Sequence, residues 1–326
     1  MTSTPRVLFS CVGENRPDWH AKMENLVLSI RHFGGSLADA PVVVNVVGGA
    51  AAELRAAMER LGAEVRVVQA VDRRRPTSNK LRMFELAGDH DFDVLAAIDC
   101  DIVALGDLAP EVRPKTLRAV PAGRDILSDH TWQHLYRLLN VPLPAKSCTT
   151  VVSGQTTYPY FNSGVLLVPR SVCAPLHDHW ARHLDWLLGA GLDDLGLDRL
   201  RKDQIPLSAA LATAGLEVDP LPVNFNLSVT AARFAKPYRQ QWGPPFLLHY
   251  HRLIGPDGFL LPSPNARINP HIDTFNRVRA EHLSVPYAGL STVPLQRRVG
   301  VFLKDKPGYR WARGHLRRAV AAAAKR

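Results

Sequence analysis

The sequence predicts an α/β protein whose central sheet is mostly parallel and flanked by helices. Three observations carry that expectation. Over the first hundred residues, apolar runs of strand length alternate with segments of helical periodicity, which is the pattern of successive βαβ units. One run, Asp93–Ile98, is apolar after its first residue and leads directly into Asp99-Cys100-Asp101. A later apolar run, Phe161–Val168, is followed by a helical segment with Leu176, Trp180, Leu184, Leu187 and Leu188 on one face,.

Taken in order, strands are expected over Val7–Val12, Pro41–Val47 and Val65–Val71, with helices over Met23–Phe33 and Ala50–Leu61 between them. Lys80–Leu86 reads as a further helix, and Asp93–Ile98 as the fourth strand. Leu117–Val120 is strand-like, and a Pro/Ser/Thr-containing stretch from Val141 to Tyr158 separates it from the run at Phe161. A helix is expected over Val172–Leu188 and another from Gln204 to Ala214, Pro206 being tolerated in a first turn,. Phe246–Tyr250 is a last short strand; beyond about Pro262, proline and arginine become frequent and the compact pattern is expected to end. This gives a catalytic domain over residues 1–262 and a C-terminal extension over 263–326, and there is no internal repeat.

Composition excludes several classes. A hydrophobic fraction of 46% with 21% charged residues is that of a globular chain, not a disordered one,. There is no run of about 18 apolar residues, so a membrane-spanning helix is not expected,. Met1–Arg6 leads straight into the first strand without a cleavage-site pattern, and the protein is expected in the cytoplasm,. Four scattered cysteines form no CxxC pair, so neither a disulfide framework nor a thiolate zinc site is indicated,. The net charge of +10 is concentrated in the tail. Arg297–Arg326 holds ten Lys/Arg against Asp305 alone, which leaves +1 for the rest of the chain.

The chemistry points first to Asp99 and Asp101. They follow a buried strand, where open α/β sheets place ligands. Carboxylates in apolar surroundings are costly without a cation, and an i,i+2 pair can turn toward one ion. By itself the pair supports metal binding and no particular reaction.

Read together in chain order, four segments are more specific: Asp99-Cys100-Asp101, Tyr160-Phe161-Asn162-Ser163-Gly164-Val165, Asp203-Gln204 and Leu247-Leu248-His249-Tyr250. This series, spanning roughly residues 7–255, resembles the retaining glycosyltransferases of family 8, which include glycogenin and the bacterial lipopolysaccharide galactosyltransferases. The resemblance implies a GT-A fold, a Rossmann-like architecture for nucleotide-diphosphate sugars. It also implies transfer of a hexosyl unit from a donor, expected to be a UDP-sugar, to an acceptor hydroxyl with retention of configuration. It makes Asp99, Asp101 and His249 the ligands of Mn²⁺, with Mg²⁺ as the alternative ion. Lys80 and Arg82 become candidates to face the donor sugar and its phosphates. Asn162 would contact donor or acceptor, with Ser163 and Gly164 allowing close backbone approach. Asp203 would accept from sugar hydroxyls, unless it simply caps a helix, and Gln204 would stand beside the anomeric carbon. The Cys100 backbone would meet the ribose, and Ser10, Cys11 and Val12 would line the base pocket.

Two departures stand out. Relatives usually place a lysine after the histidine strand that touches the diphosphate, whereas this chain reads His249-Tyr250-His251-Arg252-Leu253-Ile254-Gly255-Pro256; Arg252 is the candidate to replace its charge. The first strand ends Cys11-Val12-Gly13-Glu14 where many relatives carry an aspartate pair.

Asp99-Cys100-Asp101-Ile102-Val103 also fits the signature of haloacid dehalogenase-like Mg²⁺-dependent phosphatases, with Asp99 as nucleophile,. That motif normally closes the first strand, and here three strand-like runs precede it. A non-catalytic sugar-nucleotide-binding protein on the same fold is a third reading. His177, His179 and His183 lack the glutamate of a zinc protease and are expected to form a solvated helix face. In the tail, Trp311, His315, Leu316, Ala319 and Val320 oppose Arg310, Arg313, Arg317 and Arg318. That is the form of a basic amphipathic helix on the inner, anionic face of a membrane; a solvated basic tail fits as well, and nucleic acid is not an expected partner.

Overall fold

The computed structural model describes residues 5–73, 76–85, 90–189, 203–229, 234–239 and 243–292. The basic tail lies outside the described residues. Two compact units are distinguished, one ending at His251 and one beginning at Arg252.

In the first unit, β1 (Val7–Glu14), α1 (Pro17–Phe33), β2 (Val42–Val47), α2 (Ala52–Arg60) and β3 (Glu64–Val68) form two βαβ units. A 3₁₀ helix spans Pro76–Met83 where a helix over Lys80–Leu86 was expected. There follow β4 (Val94–Ile98), β5 (Ile102–Ala104), β6 (Leu117–Pro121) and α3 (Asp129–Leu138). Next come β7 (Cys148–Thr149), β8 (Thr156–Thr157), β9 (Phe161–Pro169), α4 (Arg170–Gly189), α5 (Gln204–Thr213) and β10 (Val218–Pro220). The unit closes with β11 (Leu227–Ser228), α6 (Lys236–Arg239) and β12 (Leu247–His249).

The main sheet has seven strands in the order β10-β6-β9-β4-β1-β2-β3. It is parallel except at β9, which runs antiparallel to both β4 and β6. Every residue of β4 is buried, as the apolar run requires. Trp180, Leu176 and Leu184 of α4 pack into the same core as Leu95, Ala97, Leu166 and Val168 of the central strands.

A second, three-stranded sheet, β11-β12-β5, positions the site. β12 runs antiparallel to β5 with His249 opposite Ile102. The Tyr250 amide donates to the Asp101 carbonyl at 3.0 Å. The histidine is thus delivered to the residue just before β5.

Three local expectations are corrected. His183 is buried, not solvated: its Nε2 lies 2.7 Å from the Thr213 hydroxyl, between α4 and α5. The strand expected to reach Val71 ends at Val68, and Asn79 Oδ1 accepts from the Val71 amide instead. Order also continues past Pro262: α7 (Asn269–Leu283) buries Ile272, Phe275 and Val278 in the second unit. There the Asn276 amide pairs with both the N–H and the C=O of Leu260, at 2.8 and 2.9 Å. No described helix is long and apolar enough to cross a membrane.

Candidate active site

A cleft of about 390 Å³ opens at the C-terminal ends of β1, β2 and β4. Val12, Lys80, Asp99, Cys100, Asp101, Asn162, Asp203, Gln204 and His249 all line it. Ser163 and Gly164 lie immediately behind them, as the contacts below show. Arg82 turns away, donating to the Gln69 carbonyl at 2.8 Å and pairing with Glu85. Arg252 is the first residue of the second unit and is described with it. Ser10 and Cys11 are buried in β1, where the Asn45 amide donates to the Ser10 hydroxyl and the Cys11 carbonyl. Burial pushes the Cys11 thiol up to about 12, so that sulfur stays a neutral wall.

One half of the cleft is a buried ionic cluster. Lys80 Nζ lies 2.8 Å from Asp99 Oδ2, 3.0 Å from Asp203 Oδ2 and 2.9 Å from the Ser163 hydroxyl. The hydroxyl donates to Asp203 at 2.5 Å. Burial alone would lower the lysine, but Asp99 and Asp203 together raise it above its ordinary value, so the ammonium stays charged. Burial likewise works against the Asp203 carboxylate, yet Lys80 and Ser163 draw it below the usual range. Asp203 starts α5 without a side-chain capping bond; its backbone carbonyl is held by the Trp180 indole N–H at 3.0 Å. The core helix α4 thereby fixes where Asp203 and Gln204 begin.

The other half contains the ligand-type groups. The Asp99 amide donates to the Gly164 carbonyl at 2.8 Å, which joins the end of β4 to the start of β9. The approach is close: a Cβ on Gly164 would stand 2.9 Å from Asn162 Oδ1, 3.1 Å from Asp99 Oδ2 and 3.1 Å from His249 Cε1. Asn162 Oδ1 accepts from the Gly164 amide and from the Asn226 side chain. His249 Nδ1 faces Asn226 Oδ1 at 3.0 Å, and Nε2 faces Asp101 Oδ1 at 3.1 Å.

This geometry fits a cation. With the Asn226 amide spent on Asn162, its oxygen takes the Nδ1 proton, and the remaining imidazole lone pair points at a carboxylate. Two acceptors at that distance need a proton or a metal ion between them, and a ligand histidine is typically oriented this way through its other nitrogen. Burial would raise Asp101, but His249, through charge and hydrogen bond, and Lys22 bring it well below the carboxylate range. Asp99 is raised, chiefly by burial and despite Lys80, with the Asp101 charge adding to it. Among the described residues, the group whose ligand atoms lie within 4.8 Å of one another is Asp101, His249 and His251. Asp99 faces Lys80 on the adjoining side.

His251 is one residue that sequence reasoning does not reach, although its two-residue spacing from His249 is the available signal. Its backbone is left-handed at φ 53°, and its Nε2 meets the Ser228 hydroxyl at 2.9 Å. A bulky residue held there is the kind of local strain that collects at functional sites. Asn226, which orients His249, and Trp19 and Lys22 of α1, which line the cleft, carry no motif.

A sheet of this order with a carboxylate and histidine cluster at its strand ends has the architecture of the GT-A glycosyltransferase fold. The chain belongs to the family described as the Rhodobacterales glycosyltransferase domain, whose model matches residues 14–215. Among solved structures, the galactosyltransferase LgtC in complex with donor and acceptor sugar analogues matches with a TM-score of 0.52 at 17% identity, over 89% of this chain and 99% of that one. An active-site glutamine-to-glutamate variant of LgtC matches at 0.51 and 16%, with the same coverage. At such identity the likeness speaks for the fold. No curated protein matches the sequence.

Proposed function

We propose that the enzyme transfers a hexosyl unit from a UDP-sugar to an acceptor hydroxyl, with Mn²⁺ and with retention of configuration. The observation that carries this reading is the joining of the Lys80–Asp99–Asp203 cluster, Gln204, Asn162 and the Asp101–His249 pair in one cleft. Asp99, Asp101 and His249 would hold the ion, with the His251 ring close to Asp101 and His249. Imidazole beside carboxylate oxygen suits Mn²⁺ better than Mg²⁺, which prefers oxygen ligands and water. When bound, the cation supplies Lewis-acid neutralisation of the leaving diphosphate.

The remaining work belongs to side chains. Asp203, kept ionised by Lys80, accepts from sugar hydroxyls and fixes the ring. Gln204 follows it directly and presents a neutral amide dipole where positive charge develops at the anomeric carbon; LgtC likewise has a glutamine in its active site. Retention, carried over from the family resemblance, is consistent with attack by the acceptor on the face from which the diphosphate departs. The proton then passes to the departing phosphate oxygen. Asn162, with the small residues Ser163 and Gly164 behind it, lets the donor approach the backbone. Val12, with Ser10 and Cys11 beneath it, walls the base, and the Cys100 backbone meets the ribose.

Turnover of a panel of UDP- and GDP-sugars, with Mn²⁺ or with EDTA, tests the proposal. Hydrolysis or transfer with a UDP-sugar, lost in EDTA and in the Asp99→Asn/Asp101→Asn variant, is expected. Cleavage of phosphomonoesters would instead support the phosphatase alternative, and wild-type rates in the double variant would overturn the site.

A further inference from the structure

The cleft contains a cation that neither the sequence motifs nor the family match assigns. Lys22 projects from the second turn of α1 with its side chain 14% exposed, and its ammonium lies 3.9 Å from Asp101 Oδ2, beyond hydrogen-bond distance. Its ammonium also lies over the face of the Trp19 ring, 5.0 Å from the centroid. Lys80 is different in kind: its three N–H donors are taken by Asp99, Asp203 and Ser163. Arg82 is committed outside the cleft to Gln69 and Glu85. Of the basic side chains described here, Lys22 is the one in the cleft with donors to offer a ligand.

We propose that Lys22 binds the diphosphate of the donor and of the nucleoside diphosphate product; this rests on the nucleotide-sugar reading above. A lysine ammonium and a divalent ion flanking the same Asp101 carboxylate would repel each other. A diphosphate lying between them turns that repulsion into two attractions. The side chain is already confined by burial and by Trp19, so little rotamer freedom is lost when the anion arrives. The charge that relatives supply from after the histidine strand is supplied here from α1.

Calorimetric titration of the full-length protein with UDP and with uridine, in EDTA and again with Mn²⁺, tests the assignment. Lys22→Met and Lys22→Gln should weaken UDP about 10- to 100-fold in EDTA, the loss expected for a charge-assisted hydrogen bond. Uridine, which lacks phosphate, should change less than about twofold, and Lys22→Arg should stay near wild type. Unchanged UDP affinity in both neutral variants overturns the proposal, as does an equal loss for uridine, which would mark Lys22 as part of the base pocket. If the wild-type protein binds no nucleoside diphosphate, the donor reading itself fails and the proposal fails with it.

Discussion

Replacing Lys80 with methionine removes an ammonium while keeping most of the alkyl stem, and the consequence can be worked from the cluster around it. Asp99 and Asp203 are 17% and 10% exposed and lie 2.8 and 3.0 Å from the lysine nitrogen. Without Lys80 two buried carboxylates face each other's field with no counter-ion. Removing one partner of a buried pair costs about 3–5 kcal/mol, because the charge left behind is uncompensated. At about 2 °C per kcal/mol for a domain of this size, the melting midpoint should fall by roughly 6–10 °C. Thermal unfolding in EDTA is the assay, since added Mn²⁺ would restore part of the missing charge. Lys80→Met/Asp99→Asn/Asp203→Asn should recover a large part of the loss, because neutral amides remove the stranded charges. Arg82→Ala, on an exposed surface pair, should cost less than about 1 kcal/mol. If Lys80→Met melts within about 2 °C of wild type, the cluster is not a buried ionic unit and the reasoning fails.

Two further outcomes follow from the same geometry. Burial, with the charges of His179 and Arg182, lowers His183 from 6.5 to about 4, so the unfolded chain binds the proton first and stability falls as pH drops from about 6.5 toward 4. By pH 5 the loss relative to pH 7.5 should be about 2 kcal/mol; urea midpoints of wild type and His183→Gln should therefore converge on acidification, and parallel pH profiles would count against it. Gly164→Ala forces a methyl against Asn162, Asp99 and His249 at 2.9–3.1 Å, and donor turnover should fall at least about tenfold with the melting point little changed, misplacement of about 1 Å being enough; wild-type kcat/KM would show that the groups can part freely.

The sequence makes the fold legible wherever periodicity is driven by burial. β4 is buried along its whole length and reads as a strand; α4 places Leu176, Trp180 and Leu184 at helical spacing and reads as a helix. Legibility fails where side chains find partners remote in the chain. Lys80 was expected at the start of a helix and as a cation facing the donor, but the segment forms a 3₁₀ helix and its ionic partners are 19, 83 and 123 positions away, so the buried cluster has no local signal. His183 carries a polar ring on a helix whose neighbours are charged, so its burial against Thr213 cannot be anticipated from α4 alone. Of the site, the motif-bearing residues were readable and their converging on one cleft follows from the sheet order. Lys22, Asn226 and His251 were not, because each acts through a contact that no local pattern encodes.

The site is assembled from two pairings of unequal strength. Asp99 is held by the long β4–β9 pairing, where five residue pairs from Val94 to Ile98 are in register. His249 depends on β12, three residues long, opposite β5. A slip of one residue there would turn the imidazole to the other face of the small sheet and separate it from Asp101. Three residues of ladder are a weak guarantee of register, so other contacts must supply it. Phe246, just before β12, stacks on Phe225 with centroids 4.5 Å apart, and its carbonyl accepts from the Leu105 amide at 2.8 Å. Gly106 leaves room for that ring, since a Cβ there would stand 2.7 Å from it. Phe225 in turn lies in the 3₁₀ turn that carries Asn226, the residue that orients His249. The stacked pair therefore sets the register of the histidine strand and the aim of its imidazole together, which makes the Asp101–His249 contact depend on an apolar contact that touches neither residue.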